Sequence, residues 1–486
     1  MAQAFEIELK LQFDAVDLPA LKLATSFENA EPQVQALVAT YFDTPDKDLR
    51  KAGYCLRVRR EDEAYVQTVK AEGAASAGLF VRPEWERPVA DGNPVVDRHD
   101  PLATVLGVEA LAALAPAFTT HVTRRSHVVR QGESVVHCAL DTGMVRAGDR
   151  EAALGEIELE LEAGDPATLF AMARRLNEAA PLRLGLLSKS ERGYRLLDEA
   201  GDTAVKAAGI ALHPGMSVSD AFGAIAHGCV RQFRLNEDIL LESGGRAPLH
   251  QARVGLRRLR SAMSLFKPLI APDAKGAPIA QGLRDLAAAL GEVRDLDVLI
   301  PRLADEHRAR AEEVRKQAFE RAQAALQSTE ARGLMLDLAE WLAIGDWRRR
   351  PADAALAEGD AAAFASALLE RRRKALKRAG KHLAKLDDGA RHAVRIKAKK
   401  LRYATEFFAG LFPKDKQQKR QAKFARAVAE LQNALGKLND LAVAPAVLTA
   451  IGIEAEAPPS AKKRGRLIGN AQDAMDELID AKRYWR

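Results

Sequence analysis

Three ionisable residues near the start of the chain, Glu6, Glu8 and Lys10, stand two apart within Phe5-Glu6-Ile7-Glu8-Leu9-Lys10-Leu11. Alternate residues of a strand share a face about 7 Å apart, which predicts two carboxylates and an ammonium on one side and Phe5, Ile7, Leu9 and Leu11 on the other. Two carboxylates so placed suit a hard divalent cation. A solvated outer face gives the same alternation, and one strand alone does not separate the two readings.

The pattern recurs. Leu56-Arg57-Val58-Arg59 alternates cations with apolar residues, Thr68 and Lys70 are in phase, Arg82, Glu84 and Glu86 share a face, and Glu156, Glu158, Glu160 and Glu162 alternate with Ile157, Leu159 and Leu161. Glu, Lys and Asp are poor strand formers, so their return at period two marks a selected surface. Solvation does not sort the signs, with carboxylates on the first and last strands and cations between. Turned inward, these faces place acidic pairs for Mg²⁺ or Mn²⁺ beside rows of arginine and lysine for phosphate oxygens. No protein nucleophile is then needed, because a metal-activated water can attack a terminal phosphorus while fixed cations stabilise the departing charge.

The elements that must hold these residues are short strands. They are predicted at Val34–Phe42, Tyr54–Arg60, Tyr65–Lys70, Leu79–Pro88, Thr119–Arg130, Ser134–Val145 and Glu156–Glu162, with a helix over Leu18–Phe27. Turn signals separate them, among them Asp46-Lys47-Asp48, Ala52-Gly53, Glu61-Asp62-Glu63 and Asp91-Gly92-Asn93-Pro94. Roughly eight strands imply an antiparallel barrel or sandwich.

A chain of 486 residues allows two or three domains, and 47% hydrophobic with 29% charged residues reads as soluble and globular. No run of eighteen apolar residues occurs, and acids stand at 6 and 8 where a signal peptide needs a basic and then an apolar segment. A cytoplasmic protein with no membrane partner is expected. Cys55, Cys138 and Cys229 lie far apart without metal spacing and are read as reduced and buried. The net charge of +6 hides a division: residues 1–200 carry 23 Lys and Arg against 32 Asp and Glu, and residues 201–486 carry 50 against 35. A basic half of that size points to a polyanionic partner.

Past Gly201 the composition turns to Ala, Leu and Arg with helical periodicity, and 201–215 reads as a linker. His250-x-x-Arg253-Val-x-x-Arg257-Arg258-Leu259-Arg260 recurs 142 residues later as His392-x-x-Arg395-Ile-x-x-Lys399-Lys400-Leu401-Arg402. Each copy is followed by a second pair, Leu290-Gly291-Glu292-Val293-Arg294-Asp295-Leu296 and Leu435-Gly436-Lys437-Leu438-Asn439-Asp440-Leu441, so a helical unit is duplicated. On a helix His250, Arg253, Arg257 and Arg260 fall within an arc of about 80° along some 15 Å, and His392, Arg395, Lys399 and Arg402 repeat the stripe. No acid lies between Ala247 and Pro272 or between Gly389 and Thr405. Uncompensated like charges repel, and an external anion accounts for them most economically. The histidines either donate to phosphate or cap the helix, and Arg294 is replaced by Asn439, so the copies need not contribute equally. Helices at Asp305–Ser328, Ala361–Leu386, Lys416–Leu438 and Asn470–Tyr484 supply bundle mass. The runs Arg371-Arg372-Arg373-Lys374 and Lys462-Lys463-Arg464 are read as exposed, and Trp341, Trp347 and Trp485 as packing groups.

Glu6-x-Glu8-x-Lys10, Tyr41-Phe42-Asp43-Thr44, Leu56-Arg57-Val58-Arg59, Thr68-Val69-Lys70, Arg82-Pro83-Glu84-Trp85-Glu86, Gly155-Glu156-Ile157-Glu158 and Leu187-Ser188-Lys189-Ser190 together resemble a CYTH domain of the triphosphate tunnel metalloenzymes. The likeness is nearest to bacterial inorganic triphosphatases that carry a C-terminal CHAD domain, and the second half resembles a CHAD domain. The resemblance implies an α+β protein of several domains: an eight-stranded antiparallel β-barrel over 1–200, a linker over 201–215, and an all-α domain of two pseudo-symmetric four-helix bundles over 216–486. It implies metal binding by Glu6, Glu8, Glu156 and Glu158, substrate binding by Lys10, Arg57, Arg59, Lys70, Arg82, Arg124 and Lys189, and catalytic roles for Glu6, Glu8 and Lys10. Arg125 is the alternative to Arg124, since a one-residue change of register exchanges their faces. Asp141 resembles a family position as a metal contact or a structural cap. Glu160 and Glu162 extend the acidic row towards the rim, and Glu84 and Glu86 either balance arginines or touch metal.

The function so implied is hydrolysis of inorganic triphosphate to diphosphate and phosphate with Mg²⁺ or Mn²⁺, and polyphosphate binding by His250, Arg253, Arg257, Arg260, His392, Arg395, Lys399 and Arg402. Thiamine triphosphatase and class IV adenylate cyclase are alternatives within the family, and a noncatalytic polyphosphate-binding or targeting protein is one outside it. Nucleic acid is disfavoured as a partner, because aromatics are only 5% and none interleave the basic stripes.

Overall fold

A computed structural model describes residues 3–24, 31–71, 74–76, 78–96, 101–198, 203–453 and 461–486. The chain divides into two compact units, one of residues 1–203 with 327–344 and the other of 204–326 with 345–486. The strands are β1 (Gln3–Gln12), β2 (Gln33–Asp43), β3 (Tyr54–Glu61), β4 (Ala64–Ala71), β5 (Ala74–Ser76), β6 (Leu79–Val89), β7 (Ala115–Gln131), β8 (Ser134–Ala147), β9 (Arg150–Ala163) and β10 (Arg183–Leu184). The longer helices are α1 (Ala167–Ala179), α2 (Lys189–Leu197), α3 (Val218–Ser243), α4 (Arg246–Leu265), α5 (Gly276–Leu299), α6 (Asp305–Gln327), α7 (Thr329–Ile344), α8 (Ala361–Gly380), α9 (Asp388–Phe407), α10 (Asp415–Ala450) and α11 (Ala461–Asp480).

In the first unit the order β1-β9-β8-β7-β2-β3-β4-β6 returns to β1 through a β1–β6 pairing, closing an eight-stranded antiparallel barrel; β10 and β5 extend β1 and β6. Closure leaves no free edge among the eight strands. The barrel is apolar outside. Leu9 and Leu11 of β1 and Ile157 and Leu159 of β9 are fully buried on the outer face, where α1 covers them with Leu169, Phe170, Met172, Ala173 and Leu176. Each such side chain contributes about 1.5–3 kcal/mol on burial. On the far wall Leu56, Val58 and Val69 pack with Leu102 and Leu111 of two short helices, Pro101–Leu106 and Val108–Leu111.

Helix α7 also packs in this unit, against α1, β10 and β5. Arg174 of α1 pairs with Asp337 at 2.7 Å and with Glu340, and Arg332 donates to Asn177 Oδ1 at 3.0 Å. Its apolar side, Met335, Leu336, Leu338, Ala339, Trp341 and Leu342, is buried. The unit is therefore discontinuous in sequence, taking a helix from within the basic half.

The second unit is helical. In the later copy α8 packs on α9 and α11, α9 on α10, and α10 on α11; in the earlier copy α3 packs on α4 and α4 on α5. Helix α6 is held to α5 by ion pairs, Arg315 to Asp297 at 2.6 Å and Arg321 to Glu292 at 3.0 Å. Helix α10 runs past its expected end at Leu438 to Ala450, through Pro445, while α8 and α11 stop at Gly380 and Asp480. Residues 481–486 leave the helix because Tyr484 and Trp485 turn in against Phe424, at ring separations of 5.9 and 5.2 Å. Trp341, Trp347 and Trp485 are all buried, as are Cys138 and Cys229; Cys55 is only partly buried, because it faces the barrel interior. Among the described residues no helix is long and apolar enough to cross a membrane.

Candidate functional site

Residues directly opposed in an antiparallel ladder share a face, so the register can be followed around the barrel. Glu8 lies opposite Glu160 and Lys10 opposite Glu158; Glu156 lies opposite Asp141, and Asp141 opposite Arg124. The circuit continues with Arg124 opposite Gln35, Tyr41 opposite Arg57, Arg57 opposite Thr68 and Cys55 opposite Lys70. It closes with Lys70 opposite Glu84 and Arg82 opposite Glu6. One continuous inner face thus carries nearly every charged position that the period-two pattern singled out. Arg124 faces inward and Arg125, opposite Leu140, outward.

The centre of this face is a network of opposite charges. Lys10 is hydrogen-bonded to Glu158 and lies 3.2 Å from Glu8 and 4.0 Å from Glu156. Arg124 donates to both oxygens of Asp141, at 2.8 and 2.6 Å, and also to Glu158. Lys189 reaches Glu156, Asp141 at 2.7 Å and Glu158 at 3.0 Å. Arg82 donates to Glu8 at 2.5 Å. Asp141, Glu156 and Glu158 each offer an oxygen within 4.8 Å of the others. This donor set, oxygen alone, with Asp141 and Glu156 buried and Glu158 largely so, fits a hard cation such as Mg²⁺ or Mn²⁺.

Burial and charge set the protonation of these groups. Burial by itself raises the Glu158 carboxyl, but Lys10, Lys189 and Arg124 override it and hold the group well below the usual carboxylate range. Asp141 is likewise lowered against its burial, by Lys189 and Arg124. The converse holds for the lysines. Burial lowers Lys10 and Lys189, and the facing carboxylates, Glu158 first for Lys10 and Asp141 first for Lys189, raise both above the ordinary value.

Lys189 comes from a helix, and its placement is built locally. Ser188 caps α2, accepting from the Glu191 N–H while Glu191 accepts the Ser188 N–H, a reciprocal capping box. Gly193 lets α2 seat on β7, since a Cβ there meets the Phe118 ring at 2.2 Å. On β2, Asp43 accepts the N–H groups of Thr44, Leu49 and Arg50 and the Tyr194 hydroxyl, so the Tyr41-Phe42-Asp43-Thr44 motif anchors the β2–β3 turn.

The remaining sequence candidates fall around this centre. Lys70 pairs with Glu84 at 3.1 Å, Glu86 accepts from Thr68 at 2.9 Å, and Arg59 pairs with Glu61. Arg57 has its Nε buried without a partner. Glu160 and Glu162 are exposed, Glu162 beside His137 at 2.8 Å. Among the expected metal ligands, Glu156 and Glu158 lie in the carboxylate triplet, Glu8 is engaged by Lys10 and Arg82, and the Glu6 side chain lies outside the described residues. Asp141 takes the third place in the triplet. Arg192, three residues beyond Lys189 on α2, puts its Nε 3.9 Å from Glu156, and its helical spacing from Lys189 was the available signal.

In the helical unit the two basic stripes converge. Arg257 of α4 donates from Nε to the Tyr403 hydroxyl of α9 at 2.6 Å, and Lys399 lies one turn before Tyr403. Burial, then Arg395, Arg257 and Arg253, push the Lys399 ammonium down to about 8. The copies differ as the Arg294/Asn439 exchange suggested. His250 is lowered by burial and then by Arg294, Arg257 and Arg253, whereas His392 Nδ1 lies 2.9 Å from Asn439 Oδ1, which also accepts from Arg395 at 3.3 Å. Arg402 donates to Gln432 at 2.9 Å, and Arg260 lies near Arg284. Arg258, within the same run, is instead buried between Gln232 at 2.7 Å and Glu406 at 2.8 Å and is structural.

Comparison with known proteins agrees with both halves. The CYTH domain model matches residues 4–194 and the CHAD domain model residues 224–449. Over 196 residues the chain is 33% identical to the inorganic triphosphatase of Haemophilus influenzae, covering 39% of this chain and 54% of that protein, so it spans about half the relative's length. Among solved structures, the CHAD domain of the plant Ricinus communis is 30% identical, covering 58% of this chain and 98% of that one, with a TM-score of 0.49. An adenylyl cyclase candidate from Hippeastrum with a dominant triphosphatase activity is 16% identical, covering 40% and 96%, with a TM-score of 0.30. The chain thus belongs to the CYTH proteins through its N-terminal domain and to the CHAD proteins through its C-terminal one.

Proposed function

We propose that the barrel hydrolyses inorganic triphosphate to diphosphate and phosphate with Mg²⁺ or Mn²⁺, and that the helical unit binds polyphosphate. The observation that carries the first part is the buried triplet Asp141, Glu156 and Glu158 on the same inner face as Arg57, Arg59, Lys70, Arg82 and Arg124. The triphosphatase relative supports the choice of substrate over thiamine triphosphate or ATP.

The triplet, with Glu8 and, by the family resemblance, Glu6 of β1, would hold the divalent ion, which when bound would neutralise phosphate oxygens and make a water acidic enough to act as nucleophile. The protein's own cations do the rest. Arg57, Arg59, Lys70, Arg82 and Arg124 offer fixed N–H donors to the phosphate chain, and Arg57 has an Nε already desolvated and unpaired. Donors fixed in a closed barrel stabilise charge building on the departing diphosphate without reorganising. Lys10 and Lys189 stay protonated, and with Arg124 they hold Glu158 and Asp141 ionised.

Convergence of Arg253, Arg257, Arg395 and Lys399 supports polyphosphate as the ligand of the helical unit. Turnover of inorganic triphosphate, thiamine triphosphate and ATP, each with Mg²⁺ and Mn²⁺, tests the catalytic reading. Preference for inorganic triphosphate is expected. Formation of cyclic AMP, or no turnover of any of the three, overturns it.

A further inference from the structure

We propose that the helical unit has a second anion site, apart from the histidine stripes, which takes chains of two or three linked phosphates. It is a cavity of about 460 Å³ between α8, the start of α10 and residues 480–486, lined by Arg373, Arg420, Asp480, Lys482, Arg483 and Arg486. A neighbouring cavity of about 350 Å³ shares Arg420 and adds Lys416, Lys419 and Lys423, with Asp415 its one acid. None of the eight stripe residues lines either cavity.

A charged surface is ordinarily a solvated one with its acids interleaved. Here acids are scarce: Asp480 is the single acid lining the first cavity, and nearby Glu370 is engaged. Glu370 is occupied by Arg483 at 3.3 Å, by the Trp485 indole N–H at 3.3 Å and by Arg486 at 4.0 Å. Arg420, Lys482, Lys416, Lys419 and Lys423 have no ion-pair or side-chain hydrogen-bond partner among the described residues. Arg373 spends one nitrogen on the Ile479 carbonyl, while its Nε is buried with no partner.

The backbone that carries three of the cations is also held in place. Tyr484 is 0% and Trp485 5% exposed, packed against Phe424 and Phe412, and the Trp485 carbonyl accepts from Ser366 at 3.2 Å. This aromatic anchor fixes the backbone that carries Lys482 and Arg483 on one side and Arg486 on the other, so little backbone entropy remains to be lost on binding. Several converging cations with an unpaired buried N–H recognise a compact, multiply charged anion. A depression of about 460 Å³ has room for two or three linked phosphates. The source is either free diphosphate and triphosphate or the end of a longer polyphosphate.

Residue-resolved lysine acetylation of the full chain, followed by mass spectrometry, tests this. Inorganic diphosphate at saturation is expected to slow acetylation of Lys482 and Lys416 by about fivefold or more, and R373Q/R420Q to abolish that protection while the protection of Lys399 by long-chain polyphosphate persists. Should the double variant unfold, R420Q alone, at a partner-free helix position, gives the same comparison. Equal acetylation with and without diphosphate overturns the proposal, as does equal protection in the variant. Protection of Lys482 by long-chain polyphosphate but not by diphosphate assigns the cavity to a passing chain and overturns the short-oligomer site.

Discussion

Lys10 on β1 and Glu158 on β9 are directly opposed in the strand register and hydrogen-bonded Nζ to Oε1 inside the barrel. Three cations, Lys10, Lys189 and Arg124, converge on that one carboxylate. Glu158 is therefore both a candidate metal ligand and the counter-charge that makes the buried cations tolerable.

Replacing it separates those roles. E158Q is expected to lower kcat for triphosphate at least about 100-fold and to destabilise the full chain by about 3 kcal/mol, because buried cations lose their shared partner. Steady-state kinetics and urea unfolding check the two. Polyphosphate binding by the same variant should be unchanged, and its loss would count against separate sites.

Acid should weaken the barrel through the same groups. Glu158 lies well below its ordinary value of 4.5 and Asp141 below 3.8. A carboxyl depressed on folding stabilises fully above its unfolded value, and the contribution is lost as pH falls through the folded value. Urea midpoints from about pH 6 to pH 3 should fall in the native chain and fall less steeply in E158Q/D141N.

Chelation offers a test that needs no substitution. EDTA should abolish hydrolysis, and Mg²⁺ or Mn²⁺ should restore it. With substrate absent, added Mn²⁺ should raise the melting temperature of the native chain, as any ligand of the folded state does, but not that of E158Q.

Lys399, at about 8 and facing Arg395, Arg257 and Arg253, should make the proposed polyphosphate binding pH-dependent. A bound polyanion raises its value, so binding near pH 8 takes up as much as about half a proton and affinity falls as pH rises past 8. Calorimetry in buffers of differing ionisation enthalpy reads this, and K399M should erase it. The sign for stability is opposite. A lysine lowered on folding opposes the fold below about pH 8, and the penalty fades as pH climbs towards its ordinary 10.5.

D43A leaves three backbone N–H groups and the Tyr194 hydroxyl without their acceptor. A loss of about 3 kcal/mol is expected in urea unfolding, with kcat largely retained by the fraction that folds.

How much of this was written in the sequence depends on the kind of interaction. The inner face was legible because strand periodicity is two and the apolar partners, Leu9, Leu11, Ile157 and Leu159, keep strict alternation. Arg124 and Arg125 were not separable, since only pairing with Asp141 and Leu140 fixes which one turns inward. Glu8 read as a metal ligand from its spacing, yet Lys10 and Arg82 share it, and Asp141 stands on β8 without an acidic neighbour to mark it. Helix α1 carried a signal that went unread: Leu169, Met172, Ala173 and Leu176 recur at helical spacing. The cavity at residues 480–486 was beyond sequence reasoning, because Arg373 and Arg420 meet Lys482 only through tertiary packing.

Helix α7 gives the molecule an interlaced wiring: the polypeptide leaves the barrel unit after residue 203, re-enters at 327 and departs again after 344. Proteolytic nicking near 203 would therefore not yield a self-sufficient barrel. Its larger fragment would still own α7 and Arg174's acidic partners, Asp337 and Glu340, so the two pieces should co-purify as a complementing pair and part only on denaturation.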